Sequence, residues 1–451
     1  MQVHHLAGLF SAKFISDCYP NKTSEYGIIT AVLSLKRLFK NSSIPAEYHS
    51  NFIHLYLDMG WFGVLSGSAI NFLNIYATRI GASGFQIGLL GAMAAIVSLI
   101  FAIPAGRWLE KRATGRAVFW TSIFYRIGFL LFVPLPWLFG AQGQIWALIM
   151  LNLLMGIPLV ALSVGFSTLF AESVPTDWRA YVAGIRNIVL SIAFIVTSLG
   201  SGYLLDHIAF PFNYQVIFLI GFIGAAMSSF HLYFIKPIPG QTQSDLSTPE
   251  PASPIKISNS RPNWFTAIRA DVWKTSFRST LLVMLAFHVT QYLALPIFPI
   301  YSVRVLHLTD ENLGIGTALF YLMVLLGSTQ LNRLVNRIGH KNVTGWGVAG
   351  LALYPALMAV SSQVWHYYFL SVVGGLVWAL VGGGYTNYVI EKCPENDRPA
   401  HLSWYNIILN ASVLTGSLLG PAIAAQINLP AALLIFSLLR GLAGFAILKW
   451  G

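Results

Sequence analysis

Charged and polar side chains inside apolar runs are the residues able to do chemistry here. Arg126 and Arg186 lie within long stretches of Leu, Ile, Phe, Val and Ala, and Asp58 lies near the start of another. An ionised group in hydrocarbon costs about 2.5–3.5 kcal/mol on insertion scales, so each must face a cavity or a counter-charge. Asp58 falls ~6 Å into its run and Arg186 is similarly shallow, which predicts a buried pair. Arg126, ~14 Å deep, either attracts an anionic solute or ties helices through their carbonyls. His288, Gln291 and Tyr292 at i, i+3 and i+4 set a titratable ring, an amide and a phenol on one helical face. Pro296 and Pro299 follow and can free carbonyls or bend the chain. His288 is either a proton carrier or a hydrogen-bonded packing residue. Asn71, Asn74, Asn152, Asn387 and Asn410 offer amides for neutral polar groups, and Trp378 offers a face for stacking. The same residues can serve as interhelical hydrogen-bond glue. No Asp or Glu lies near mid-depth in any run, which disfavours coupling through a central carboxylate and leaves His288 or Asp58 for any proton coupling.

The elements that hold these residues follow from composition. Of 451 residues, 56% are hydrophobic and 10% charged, where soluble domains carry about a quarter charged. Apolar runs cover residues 54–78, 84–106, 117–140, 144–170, 180–205, 212–235, 280–303, 312–332, 342–361, 364–390, 401–426 and 429–449. Each can cross ~30 Å of hydrocarbon as a helix, and all are too long for barrel strands of about ten residues. The expected fold is therefore an all-α membrane protein of twelve transmembrane helices in two six-helix bundles. The first span is expected to remain uncleaved. Of 27 Lys and Arg, 22 fall on the side holding the N-terminus, whereas Arg79 and Arg304 alone fall on the other. The positive-inside rule then puts both termini in the cytoplasm, in a cell membrane. The net charge of +11 is thus a topology signal. The basic residues form no stripe with interleaved aromatics, so nucleic acid is not an expected partner. Cys18 and Cys393 read as free thiols, and no metal, cofactor or catalytic motif is present.

Lys236 to about Ser279 reads as a linker with an interfacial helix around Trp264, Ile268 and Val272. Expected units are an extension over 1–51 with an amphipathic helix near residues 28–40, a bundle over 52–235, the linker over 236–279 and a bundle over 280–451. The bundles repeat at an offset of 219: Glu172, Pro175, Arg179, Asn187, Ser198 and Leu199 fall on Glu391, Pro394, Arg398, Asn406, Ser417 and Leu418. A second parallel pairs the loop Gly106-Arg-Trp-Leu-Glu110-Lys111-Arg112-Ala-Thr-Gly115-Arg116 with Asn332-Arg-Leu-Val-Asn336-Arg337-Ile-Gly339-His340-Lys341.

Twelve spans, a central linker and this loop in both halves resemble the major facilitator superfamily of secondary transporters, over about residues 52–449. Its loop pattern is Gly, three variable residues, Asp, a basic residue, one variable, Gly, then basic residues. Here Glu110 and Asn336 replace the Asp, Asn332 replaces a Gly, and the first copy's glycine arrives two residues late. The resemblance implies alternating access about a central cavity. It also implies a cytoplasmic gate built from Glu110, Lys111, Arg112, Arg116, Glu172, Arg179, Asn336, Arg337, Glu391 and Arg398. In it Glu172 would pair with Arg112 or Arg116, and Glu391 with Arg337. The family's third and twelfth helices are commonly peripheral, so Arg126 leans to a structural role and Arg440 is expected to snorkel or pair structurally. GxxxG spacing at Gly63 and Gly67, and at Gly416 and Gly420, serves close helix approach. The function expected is secondary active transport of a small organic solute by a monomer in the lipid bilayer, with efflux ahead of uptake by symport or uniport. A receptor or scaffold on a transporter fold is the alternative from another class.

Overall fold

The computed structural model describes residues 46–238 and 269–451. The amphipathic helix expected near residues 28–40 and the 263–268 part of the interfacial helix lie outside them. Among the described residues the structure is helical and contains no strand. The first bundle comprises α1 (Ala46–Leu65), a π-helical turn (Ser66–Ile70), α2 (Asn71–Arg79), α3 (Gly84–Glu110), α4 (Thr114–Leu131), α5 (Leu135–Leu138), α6 (Ala141–Ser173), α7 (Thr176–His207) and α8 (Phe212–Tyr233). The second comprises α9 (Phe277–Ala294), α10 (Ile297–Arg304), α11 (Asp310–Leu351), α12 (Leu353–Val360), α13 (Val364–Lys392), α14 (Arg398–Ile427) and α15 (Leu429–Trp450).

Nine helical stretches among these residues are long and apolar enough to cross a membrane. One of them, Asp310–Val360, is broken at Gly339, whose φ of 80° lies in the left-handed region open to glycine. Helices α1 and α2, joined through the π turn, and α4 occupy two further expected runs. Prolines set the internal breaks: α9 ends just before Leu295-Pro296, and α10 restarts at Ile297. Starts are capped as their sequences dictate. Ser83 Oγ accepts from Gln86 N at 3.2 Å while Gln86 Oε1 accepts from Ser83 N at 2.8 Å, a reciprocal box opening α3.

Polarity runs inside out relative to a soluble fold. Phe124, Ile103, Val196 and Leu438 are more than 60% exposed, whereas Arg126, Arg186, Arg440 and Asp58 are at most 5% exposed. Hydrocarbon solvates such an exterior, and the exposed Trp137, Trp365 and Trp450 stand near helix ends where a bilayer interface would lie.

Glycines bring the helices into close contact. A Cβ on Gly67 would approach Phe194 O to 2.6 Å, and one on Gly63 would approach Ala193 Cβ to 2.7 Å, so α1 and α7 touch backbone to backbone. Gly416 does the same in the second bundle, where a Cβ would reach Tyr292 Cβ at 2.8 Å on α9. The bundles meet through α7 against α11 and α3 against α14. At the first contact Ser198 Oγ donates to Gly314 O at 3.3 Å. At the second, Gly88 lies against Ser417 O. Ser198 and Ser417 are the residues matched by the offset of 219, so the repeat places small side chains where each bundle touches the other.

Candidate solute cavity and charged clusters

Between the bundles lies a cavity of about 220 Å³. The first bundle contributes Ser66 from the π turn, Asn71 and Asn74 from α2, and Phe194 from α7. A π turn widens a helix locally and redirects its side chains, an arrangement common at functional sites. Asn71 Nδ2 donates to Ser198 Oγ at 3.2 Å, which ties the cavity wall to the contact between bundles. The second bundle contributes Gln291, Tyr321, Tyr354, Tyr367, Trp378 and Arg440. The rings of Phe194 and Tyr321 face each other across the bundles with centroids 4.2 Å apart. A smaller pocket of about 20 Å³ shares Gln291 and Trp378 and adds His288, Tyr292 and Tyr385. His288 Nε2 lies 3.0 Å from Tyr405 Oη, with α9 and α14 joined by that bond.

Three of the expected path residues are elsewhere. Asn152, Asn387 and Asn410 donate to Leu148 O, Gly383 O and Asn406 O of their own helices, at 2.8, 3.2 and 2.8 Å, and none lines either pocket. Arg126 is also remote from the cavity: its Nη1 donates to Ser229 Oγ at 2.8 Å, and Nη2 lies 3.7 Å from Asp58 Oδ1. Asp58 is the centre of this cluster, because Arg186 Nη2 stands 3.5 Å from its Oδ2 and Ser228 Oγ donates to Oδ1. The Arg186 guanidinium also lies over the rings of Phe166 at 4.5 Å and Phe170 at 5.3 Å. Two arginines thus share one carboxylate, where sequence spacing had paired Asp58 with Arg186 alone. The third helix's arginine joins because α4 and α8 bring Ser122 and Ser229 together, at 3.0 Å between their hydroxyls.

Of the two outcomes expected for it, snorkelling and structural pairing, Arg440 takes the second. It does not snorkel: it is 1% exposed, donates from Nη1 to Leu351 O at 3.3 Å, and donates from Nη2 to Thr290 O and Gln291 O at 3.1 Å each. Leu351 is the last residue of α11 and its i+4 position is Pro355, which has no N–H, while Thr290 and Gln291 lie near the C-terminal end of α9. The breaks at Leu295 and Ala352 therefore draw the guanidinium inward, and Arg440 ends beside the cavity. Sequence reading also missed Ser66 and the tyrosine wall. The signal available was Tyr321, Tyr354 and Tyr367 standing in apolar runs, where each hydroxyl needs a partner.

At one end the bundles are latched. Arg79 Nε donates to Asp310 Oδ1 at 2.8 Å and Arg79 Nη2 to Leu308 O at 2.8 Å. Arg304 donates to Ala82 O, and Asp206 accepts from Asp310 N at 3.0 Å and Glu311 N at 3.1 Å. Asp206 thereby caps α11 from the opposite bundle, a contact typically worth about 1 kcal/mol. Both arginines assigned to the sparsely charged face, Arg79 and Arg304, serve this closure.

At the opposite end the gate residues make local contacts. Glu172 Oε1 accepts from Thr114 Oγ1 at 3.2 Å, and no ion pair joins it to Arg112 or Arg116 among the described residues. Arg179 donates to Ala171 O at 2.8 Å and Val174 O at 3.1 Å, which fixes the turn between α6 and α7. Arg112 lies over Trp108 at 4.2 Å, and Arg398 meets Glu395 at 3.4 Å. Glu110, Lys111, Arg116, Asn336, Arg337 and Glu391 are exposed. Arg269 bridges Asp271 at 2.9 Å and Asp397 at 2.7 Å within the second half.

This geometry, with two bundles pseudo-symmetrically joined around a polar cavity, agrees with the match of the Major Facilitator Superfamily family model over residues 57–309 and 280–450. The chain belongs to the Major Facilitator Superfamily. Solved structures of two members superpose on it: the nucleoside transporter NupG with a TM-score of 0.65 at 15% identity, over 89% of this chain and 99% of that one, and a D-xylose-proton symporter with 0.67 at 13%, over 89% and 97%. Among curated relatives, the class E tetracycline resistance protein of Escherichia coli is 27% identical over 133 residues, 30% of this chain and 32% of that protein. The cis,cis-muconate transport protein of Acinetobacter baylyi is 22% identical over 242 residues, 53% of this chain and 56% of that protein. The chain thus matches from a third to just over half the length of these relatives.

Proposed function

We propose that this protein is a secondary carrier that moves a small organic solute across a cell membrane by alternating access. The observation that carries the reading is a polar cavity walled by both bundles and latched at one end by Arg79, Asp206 and Asp310. With both termini in the cytoplasm by the charge asymmetry, the latched end is external and the cavity is held for loading from inside. Closing the other end requires the bundles to rock about the α7–α11 and α3–α14 contacts, where glycines and serines permit sliding. Efflux is the direction we propose, in keeping with the partial likeness to the tetracycline resistance protein; the nucleoside and xylose carriers share the fold alone. In the alternate state Glu172 and Glu391 would turn to the basic loops of Arg112, Arg116 and Arg337. The working unit is a monomer, since the cavity is complete within one chain.

The test is counterflow in proteoliposomes loaded with a mixed metabolite pool and an imposed pH gradient. Exchange of any solute across sealed membranes by the wild-type chain is expected. Tight binding with no exchange would favour a receptor on a transporter fold.

A further inference from the structure

We propose that the solute is an organic anion with a planar, mostly apolar body, such as an aromatic carboxylate, and that the cavity discriminates against organic cations. This deepens the carrier reading and rests on it. The formal charges buried in the two bundles are the ground for it. In the first, Arg126 and Arg186 outnumber Asp58, leaving an excess of one positive charge. In the second, Arg440 is buried with carbonyl partners only, and no carboxylate lies within ion-pair distance among the described residues. The helix ends that hold it offset part of its charge through their dipoles but supply no anion. The outer pair Arg79–Asp310 neutralises itself.

The lining of the cavity contains Arg440 but no Asp or Glu. Fields from buried charges are weakly screened, so a solute entering this space meets the positive potential of Arg440. Arg440 Nε and Gln291 Oε1 are buried without a hydrogen-bond partner. Both residues line the cavity, and Arg440 Nη2 donates to the Gln291 main-chain oxygen, so this edge of the cavity offers a guanidinium to an oxyanion and an amide oxygen to a hydroxyl. The rest of the wall, Phe194, Phe298, Phe320, Tyr321, Tyr354 and Trp378, fits a flat unsaturated body.

Three probes of one shape isolate the charge: 2-naphthoate, 2-naphthamide and 2-naphthylmethylammonium. Each is titrated against the purified full-length wild-type chain by thermal shift, and each is offered in counterflow after reconstitution. The half-saturating concentration of naphthoate is expected at least tenfold below that of the amide, with no response to the ammonium. Arg440→Gln brings anion and amide within about twofold of each other, and Arg440→Lys retains the preference. Half-saturation by the amide within threefold of the anion's, a response to the ammonium, or no response to any probe overturns the proposal; this comparison needs only the wild-type chain if Arg440→Gln fails to fold. Naphthoate that binds but does not exchange sinks the carrier reading while the anion site stands. Exchange of the ammonium sinks the anion site and leaves the carrier reading intact.

Discussion

Asp58 shows what a single residue controls here. Its carboxylate lies against two guanidinium groups and the Ser228 hydroxyl, and it is 3% exposed. Replacing it with Asn would leave two like charges buried together, and breaking a buried pair by removing one partner costs about 3–5 kcal/mol. Asp58→Asn should therefore lower the thermal midpoint in detergent by many degrees, whereas Ser228→Ala, which removes one hydrogen bond, should cost about 1 kcal/mol. Equal midpoints for Asp58→Asn and wild type would refute the counter-charge role. The Asp58–Arg186 proximity was legible in the sequence from matched depth. Arg126 was not, because depth alone does not say which way a side chain points around its helix, and 100° per residue separates a lipid-facing position from a buried one.

At the scale of elements, the small residues carry the packing. Gly67 has no room for a methyl group, since a Cβ would come within 2.6 Å of Phe194 O and 3.0 Å of Ser198 N, both backbone atoms. Gly184, on the same α7, has nothing within 4 Å. Gly67→Ala should destabilise by about 1–3 kcal/mol through forced separation of α1 from α7, while Gly184→Ala should be neutral or stabilise by up to about 1 kcal/mol as a glycine leaves a helix interior. A matched pair of melting curves decides it, and equal losses would mean that the helices do not meet as described. GxxxG spacing in the sequence pointed to close approach, and the two motifs do lie at helix contacts. Which helix each would meet was not legible, because the motif marks a flat surface without naming its partner.

For the whole molecule, the proposed balance between states would rest on the latch at the Arg79–Asp310 end. Asp206→Asn with Arg79→Ala removes the Arg79–Asp310 pair and weakens the cap on α11, and should favour separation of the bundles at that end. With Cys18 and Cys393 replaced by Ser, a single cysteine at Asn71 should react several-fold faster with a membrane-impermeant maleimide added from the Arg79 side. An unchanged rate would remove the latch from the account. Sequence by itself determined the helical class, the lengths of the apolar runs, the uneven spread of basic residues and the internal repeat. The first three follow from what a bilayer and its interfaces demand of a chain, the repeat from residues matched at one offset, and all are written in the order of residues. Only the tertiary structure decided that Arg440 turns inward to two broken helix ends, that Asp58 serves two arginines, and that Arg79 and Arg304 close one end of the cavity. Those outcomes depend on helix rotation and on which neighbour supplies the partner, and a free carbonyl at a helix break is invisible until the break and the guanidinium are placed in the same space.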